Sequence, residues 1–260
     1  MMMKLQAIAE LTFKKVKEPA VAMLILVSAL LGIVIASMNS NGPETGSETQ
    51  KLLMMGQSGE TGVSSIIICI SAIIAILSGS TEIPRDIEAR TIMFILGKPV
   101  QRFEYLLGKF LGLYLICILF YIATITSAMV TAWVRGGEPP TAETVSRSLM
   151  GILSLAPFLS LSFMVSCFMP DISAMIISTV YVIFCLAMGT TIFLVDMLPQ
   201  NMLNDFWLFL LYYYFPNLLY FLQSFSLLSV EGLSLILYSL SVTFIFITIG
   251  AYRLQSKDLS

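Results

Sequence analysis

Charged residues of this chain are densest between residues 82 and 109, a segment that holds nine of the chain's 30 charges. The nine are of both signs: Glu82, Arg85, Asp86, Glu88, Arg90, Lys98, Arg102, Glu104 and Lys109. Apolar residues such as Ile83, Ile87 and Phe94 stand between them and need a surface to cover. Mixed charge with apolar residues suits docking onto a partner protein, whereas adhesion to anionic lipid favours net positive charge. The segment therefore predicts protein recognition, and the alternative is a connection that its charges merely solvate.

Residue types that perform most enzyme chemistry are absent from the chain or poorly placed in it. There is no histidine, so the commonest general base and metal ligand is missing. The four cysteines lie in apolar segments without C-x-x-C spacing, which predicts packing rather than metal binding or disulfides. Gly108-Lys109 is no phosphate-binding loop, because Phe103 replaces the first glycine of G-x-x-x-x-G-K and no Ser or Thr follows. We expect no catalytic, metal or cofactor site in this chain, and we expect a separate polypeptide to bind ATP and Mg.

The elements that must position the charged segment are apolar. Hydrophobic residues make up 57% of the chain and charged residues 12%, whereas soluble domains have about 45–50% and about 25%. Six windows contain no Asp, Glu, Lys or Arg: residues 21–38, 63–80, 110–134, 149–169, 172–195 and 233–251. Each window approaches or exceeds the roughly 20 residues that cross a bilayer as a helix. The predicted fold class is an all-α integral membrane protein, one domain with six transmembrane helices and no ionisable group inside the membrane.

The distribution of Lys and Arg orients these spans. In a six-span chain, residues 1–20, 81–109, 170–171 and 252–260 share one side and carry eleven Lys and Arg, whereas the opposite loops carry three. Basic residues favour the cytoplasmic side of a membrane, so we expect both termini in the cytoplasm. At the start of the third span, Gly108 and Gly112 form a G-x-x-x-G pattern. It predicts close helix packing, more readily within the chain than between two copies.

Two further segments have less regular patterns. Residues 1–19 place apolar residues on one face of a helix and basic residues on the other, which predicts an amphipathic helix on the inner membrane surface. A solvated helix that leads into the first span fits this pattern equally. Residues 196–232 contain a cluster of aromatic residues that Pro216-Asn217 splits into pieces too short to span. We interpret them as an outer re-entrant or interfacial segment, with a seventh, kinked span as the alternative.

The charged segment also carries a family resemblance. Its residues 88–92, 95–102 and 107–112 closely resemble the loop between the second and third spans of type-2 ATP-binding-cassette (ABC) permeases. Within that family the segment looks most like the branch of multicopper-enzyme maturation, which includes the permease of nitrous-oxide-reductase assembly. Residues 8–15 are similar to the family's amphipathic lead-in. The arrangement of six spans, with a hydrophobic outer segment before the last one, is also similar to that of the family.

The resemblance implies the permease subunit of an ATP-driven exporter in a prokaryotic inner membrane, with this loop as its coupling helix. It implies a dimer, of identical rather than different permeases, in which two docked ATPase subunits move the loops and alternate access to a central path. The residues at matching positions are the docking candidates: Glu82, Arg85, Asp86, Glu88, Arg90 and Thr91. Periplasmic or membrane accessory proteins are further expected partners. Nucleic acid is not, because no basic face could neutralise a run of phosphates.

Copper is not supported as cargo, since histidine is absent and the methionines are not clustered. Two other classes of protein stay open as interpretations. A membrane anchor or assembly factor that recruits a cytoplasmic partner would explain the charged segment as well as a transporter does. An intramembrane enzyme is disfavoured, because the uncharged windows offer no group for acid or base chemistry.

Overall fold

The computed structural model describes residues 26–34, 59–88, 102–134, 142–195 and 230–256. These ranges are helical apart from a turn at Met169-Pro170. The helices are α1 (residues 26–34), α2 (Gly59–Glu88), α3 (Arg102–Val134), α4 (Ala142–Phe168), α5 (Asp171–Val195) and α6 (Val230–Ser256). Within the described residues the chain is thus all-helical, and the predicted all-α class is confirmed for that part.

Within the ranges that the structure describes, four helical segments are long and apolar enough to cross a membrane: Ile67–Glu88, Arg102–Val134, Ser148–Phe168 and Gly232–Leu254. A further apolar stretch among the described residues, Ile172–Phe184, is shorter, although α5 continues to Val195. The chain is a multi-pass helical membrane protein. The count of six spans and the cytoplasmic placement of both termini stay predictions.

Several predicted segments lie wholly or partly outside the described residues. The amphipathic helix at residues 1–19 is one of them, and so is the outer segment at 196–232 apart from its last three residues. The predicted first span, 21–38, is described at 26–34, where it is helical. Of the predicted coupling loop, the stretch 89–101 lies outside the described residues.

Helix α4 lies at the centre of the described bundle. It packs mainly against α2 and α6 and also against α3 and α5. The most apolar window of α4 is 72% buried, whereas that of α6 is 28% buried. Phe158 and Phe163 of α4 fill the core together with Ile68 of α2 and Tyr121 of α3. The apolar faces that α6 leaves exposed suit contact with lipid, which is as apolar as the core itself.

Small side chains allow α4 to occupy this central position. Four buried serines of α4 each donate a hydrogen bond to the carbonyl oxygen three residues earlier, at 2.7 to 2.9 Å: Ser154, Ser160, Ser162 and Ser166. Buried hydroxyls that are paired within their own helix leave no donor unsatisfied. A Cβ on Gly79 of α2 would collide with the Ser162 hydroxyl, and a Cβ on Gly151 would collide with Tyr121. The helices therefore cross closely at small residues, as is common in membrane bundles.

The turn between α4 and α5 is formed by Met169-Pro170. Proline has no backbone N–H and therefore interrupts the hydrogen bonding of α4. The Pro170 carbonyl oxygen accepts a hydrogen bond from Ala174 N at 3.0 Å and thereby opens α5. This tight turn places the end of α4 beside the start of α5.

Several helix termini meet at one end of the bundle. Arg102, the first residue of α3, donates a hydrogen bond to the carbonyl oxygen of Leu254 near the end of α6. The Arg253 guanidinium lies 5.5 Å from the centre of the Phe168 ring at the end of α4. We call this end, where α2, α4 and α6 finish and α3 and α5 begin, the charged end. It brings together residues 81–88, 102–109, 170–171 and 252–256, which the distribution of basic residues predicts to be cytoplasmic.

Candidate functional site

Two pairs of polar residues face each other where α2 ends and α3 begins. Glu82 and Asp86 are four residues apart on α2, and Tyr105 and Lys109 are four residues apart on α3. Residues at this spacing share one face of a helix. The two faces meet at the charged end, and we call these four residues the buried ion cluster.

Lys109 is the centre of the buried ion cluster. Its Nζ lies 2.8 Å from Glu82 Oε2 and also forms an ion pair with Asp86 Oδ2. The carbonyl oxygen of Glu82 is 3.5 Å from the same nitrogen. The Tyr105 hydroxyl donates a hydrogen bond to Asp86 Oδ2, and the centre of the Tyr105 ring lies 6.0 Å from Nζ. One ammonium group thus contacts both carboxylates, and one carboxylate oxygen accepts from both α3 residues.

Burial makes these contacts important for stability. The exposed fractions of the side chains are 5% for Lys109, 2% for Asp86 and 17% for Glu82, and Tyr105 is completely buried. A buried charge without a partner costs several kcal/mol, whereas a paired and hydrogen-bonded one is tolerated. The three charges can therefore be buried only while α2 and α3 keep the relative position that pairs them.

Helix α3 is held against α6 at the same end. The hydrogen bond from Arg102 to the Leu254 carbonyl oxygen supplies a donor to the last turns of α6, where helix carbonyls have no intrahelical partner. The rings of Phe103 and Phe244 meet edge to face, with their centres 6.4 Å apart. The start of α3 is thus bound to α2 through charges and to α6 through a hydrogen bond and an aromatic contact.

The six docking candidates lie in different environments. Arg85 and Glu88 are exposed on the last turns of α2. Asp86 is buried and Glu82 is largely buried, because both bind Lys109. Arg90 and Thr91 lie outside the described residues. Docking to an ATPase stays a prediction for these six residues. The side chain of Asp86 contacts Lys109 and Tyr105 of the same chain.

Helices extend into both ends of the predicted coupling segment. Residues 82–88 continue α2 and residues 102–109 open α3, so the first and last parts of the segment 82–109 are helical. The charges of Glu82, Asp86 and Lys109 lie in helical segments just outside the uncharged windows 63–80 and 110–134, yet these side chains are largely buried. The physical reason is the pairing of Lys109 with two carboxylates, which lets helical segments carry charge into a buried position.

Reasoning from the sequence overlooked Tyr105 and Lys109 as functional residues. A signal for them was available: carboxylates at spacing four near the end of one span, and a tyrosine and a lysine at spacing four near the start of the next. Such matched spacing predicts two facing pairs if the helices are adjacent. The two pairs are far apart in the sequence, so the sequence alone does not show that they face each other.

The remaining predicted features concern packing and metals. Gly108 and Gly112 are both buried on α3, and their role in helix packing stays a prediction. In the part of the chain that the structure describes, no group of three or more His, Cys, Asp or Glu side chains could hold a metal ion. Of the cysteines with described side chains, Cys117 and Cys167 are buried and Cys69 is half-buried.

Membrane-length helices with a paired charge cluster at one end of the bundle define a multi-pass helical membrane protein. The chain belongs to the ABC-2 family of transporter proteins: the family described as "ABC-2 family transporter protein" matches residues 10–259. No curated protein matches the chain. The predicted permease family is therefore confirmed. Its members are membrane subunits of ABC transporters that work with ABC ATPase subunits and are not themselves catalytic.

Proposed function

We propose that this chain is the membrane-spanning subunit of an ATP-driven exporter in a prokaryotic cell membrane, and that separate ATPase subunits dock at its charged end. Membership of the ABC-2 family supports the transporter part of the proposal. The docking part is supported by Arg85 and Glu88, which are exposed at the end of α2. They directly precede the stretch 89–101, which resembles the coupling loop of type-2 permeases.

The exposed pair suits a protein partner because its two charges are opposite and three residues apart on one helix face. A partner surface with the complementary pattern would be attracted, and one with like charges would be repelled. We further propose that the permease forms a homodimer and that ATP and Mg bind to the ATPase. The multicopper-maturation branch is proposed only as a cellular context. Copper is not proposed as cargo because the chain has no histidine, and the cargo is left open.

The test is a reversal of the exposed pair, Arg85→Glu together with Glu88→Lys. The net charge is unchanged, so nonspecific attraction to anionic lipid would survive. Like charges brought together at a docking surface cost several kcal/mol, and affinity falls tenfold for about every 1.4 kcal/mol. We therefore expect much less ATPase to co-purify with the double variant in mild detergent, at equal expression and insertion.

The matched control is Glu48→Lys together with Lys51→Glu, an equally neutral reversal in the predicted outer loop. It should leave co-purification of the ATPase unchanged. Undiminished co-purification with the Arg85 and Glu88 reversal would remove this docking site. If no protein with a G-x-x-x-x-G-K-[S/T] motif co-purifies with the native chain either, the proposal of an ATP-driven exporter fails as a whole.

A further inference from the structure

We infer that the buried ion cluster makes the ends of α2 and α3 move as one rigid hairpin, with Lys109 as its central positioning residue. The inference rests on the proposed function, because it concerns how a movement at the exposed pair Arg85 and Glu88 reaches the spans. The cluster itself is not proposed to touch the ATPase. It acts through the two helices that it joins.

The position of the cluster suits this role. Asp86 lies between the exposed residues Arg85 and Glu88 on the same turns of α2, yet it is buried against α3. A force applied to the exposed pair therefore acts on the very turns that Lys109 binds. The contact between the two helices continues away from this end, where Ser78 Oγ lies 4.0 Å from Cys117 Sγ.

Apolar packing alone would not hold the helices in register under such a force. In a membrane, a helix face that leaves its neighbour can contact lipid instead, so apolar contacts resist separation only weakly. The ion pairs are different, because sliding or opening of the hairpin would leave Lys109 or its carboxylates buried without a partner. The cheapest response to a push at the end of α2 is therefore a joint movement of α2 and α3.

The contacts of α3 indicate where this movement goes next. Arg102 and Phe103 bind α6 through the Leu254 carbonyl oxygen and the Phe244 ring. A joint movement of α2 and α3 therefore also displaces α6. The cluster thereby couples three helices of the bundle to one exposed pair of charges.

The experiment follows the far end of α3, where Val134 is 76% exposed. In the complex with its ATPase, and with the native cysteines replaced by alanine, Val134→Cys is labelled with a membrane-impermeant maleimide. The labelling rate is compared with and without a non-hydrolysed ATP analogue. We expect a nucleotide-dependent difference in the native cluster and the loss of this difference in Lys109→Met, while the ATPase still co-purifies.

Two further variants separate positioning from a merely structural role. The exchange Glu82→Lys with Lys109→Glu, combined with Asp86→Asn so that no carboxylate faces the new one, keeps one pair of opposite charges across the two helices and should recover the nucleotide-dependent difference. Lys51→Met removes a lysine from the predicted outer loop and should behave like the native chain. If Lys109→Met does not assemble, the neutral triple variant Glu82→Gln, Asp86→Asn and Lys109→Met takes its place, because it removes the ion pairs and leaves no buried charge without a partner.

The outcomes distinguish the inference from the proposed function. A labelling difference that persists unchanged in Lys109→Met, or in the neutral triple variant where that variant is used, overturns the inference and leaves ATPase docking intact. An exchange variant that assembles but shows no difference also overturns it. Failure of the native chain to bind any ATPase overturns the proposed function instead, whatever the cluster variants do.

Discussion

The side chain of Lys109 is only 5% exposed, so its positive charge needs a partner inside the protein. Two carboxylates from a neighbouring helix contact its ammonium group and neutralise it. Two carboxylates four residues apart would repel each other without a shared cation. At the scale of single residues, Glu82 and Asp86 can therefore be buried near the end of α2 because a lysine on α3 neutralises them.

The Tyr105 hydroxyl provides a test at this scale. Tyr105→Phe removes the hydrogen bond to Asp86 and leaves the shape of the ring unchanged. Hydrogen bonds to charged groups contribute about 1.5–3 kcal/mol, and those between membrane helices average less, so we expect a loss of about 1–2 kcal/mol in stability. The loss is measured as a lower midpoint of thermal unfolding in detergent.

The matched control is Tyr252→Phe, since Tyr252 is 75% exposed on α6. Removal of its hydroxyl should change the unfolding midpoint little. Equal midpoints for both variants would mean that the contact between Tyr105 and Asp86 contributes nothing measurable, and would weaken the description of the four residues as one cluster.

At the scale of helices, close crossings depend on glycine. A Cβ on Gly32 of α1 would collide with the backbone carbonyl oxygen of Thr124 and with the Ser127 hydroxyl on α3. A backbone atom cannot rotate away as a flexible side chain can. The crossing of α1 and α3 is therefore less tolerant of added volume than a crossing lined only by side-chain ends.

This difference predicts the outcome of two alanine substitutions. Gly32→Ala should destabilise the protein by about 1–3 kcal/mol, the usual cost of overpacking. Gly250→Ala is the control, because its Cβ would meet Leu106, Met164 and Cys167 at 3.4 to 3.5 Å, which is ordinary contact. The measurement is the unfolding midpoint of each variant in detergent, and a Gly32→Ala midpoint at or above that of Gly250→Ala contradicts the described crossing.

Helices were the part of the fold that the sequence could predict, because uncharged windows of membrane length are a local signal. The window 63–80 lies inside α2, and the window 110–134 lies inside α3. Helix α2 continues beyond its window to Glu88, and α3 begins before its window at Arg102, since a window treats every charge as a boundary and does not consider its partner. The contact between Glu82 and Lys109 joins residues 27 positions apart, and single-sequence patterns do not report contacts at such separation.

The candidate site was predictable to a similar extent. The density of charge in residues 82–109 and the resemblance to type-2 permeases both point to this end of the molecule, and family membership confirms the resemblance. Which charges face outward could not be read from the pattern. Arg85 and Asp86 are neighbours in the sequence, yet one is exposed and the other is buried against α3.

At the scale of the whole molecule, one end of the bundle carries a group of basic side chains. The charged end collects Arg85, Arg102, Lys109 and Arg253 among the described residues. Helices α2 to α6 alternate in direction, so that α2, α4 and α6 finish there and α3 and α5 begin there. Since basic residues favour the cytoplasmic side, the charged end should face the cytoplasm, where an ATPase and its ATP are found.

Orientation can be tested directly with single cysteines in a background whose four native cysteines are alanine. If the charged end is cytoplasmic and α6 finishes there, Ser260→Cys should resist a membrane-impermeant thiol reagent in intact cells and react after the membrane is permeabilised. Ser47→Cys, in the predicted outer loop, is the matched control and should react in intact cells. Labelling of Ser260→Cys from outside would reverse the orientation of α6. It would then favour a seventh span through Pro216, and it would move the proposed docking of an ATPase away from the end of α6.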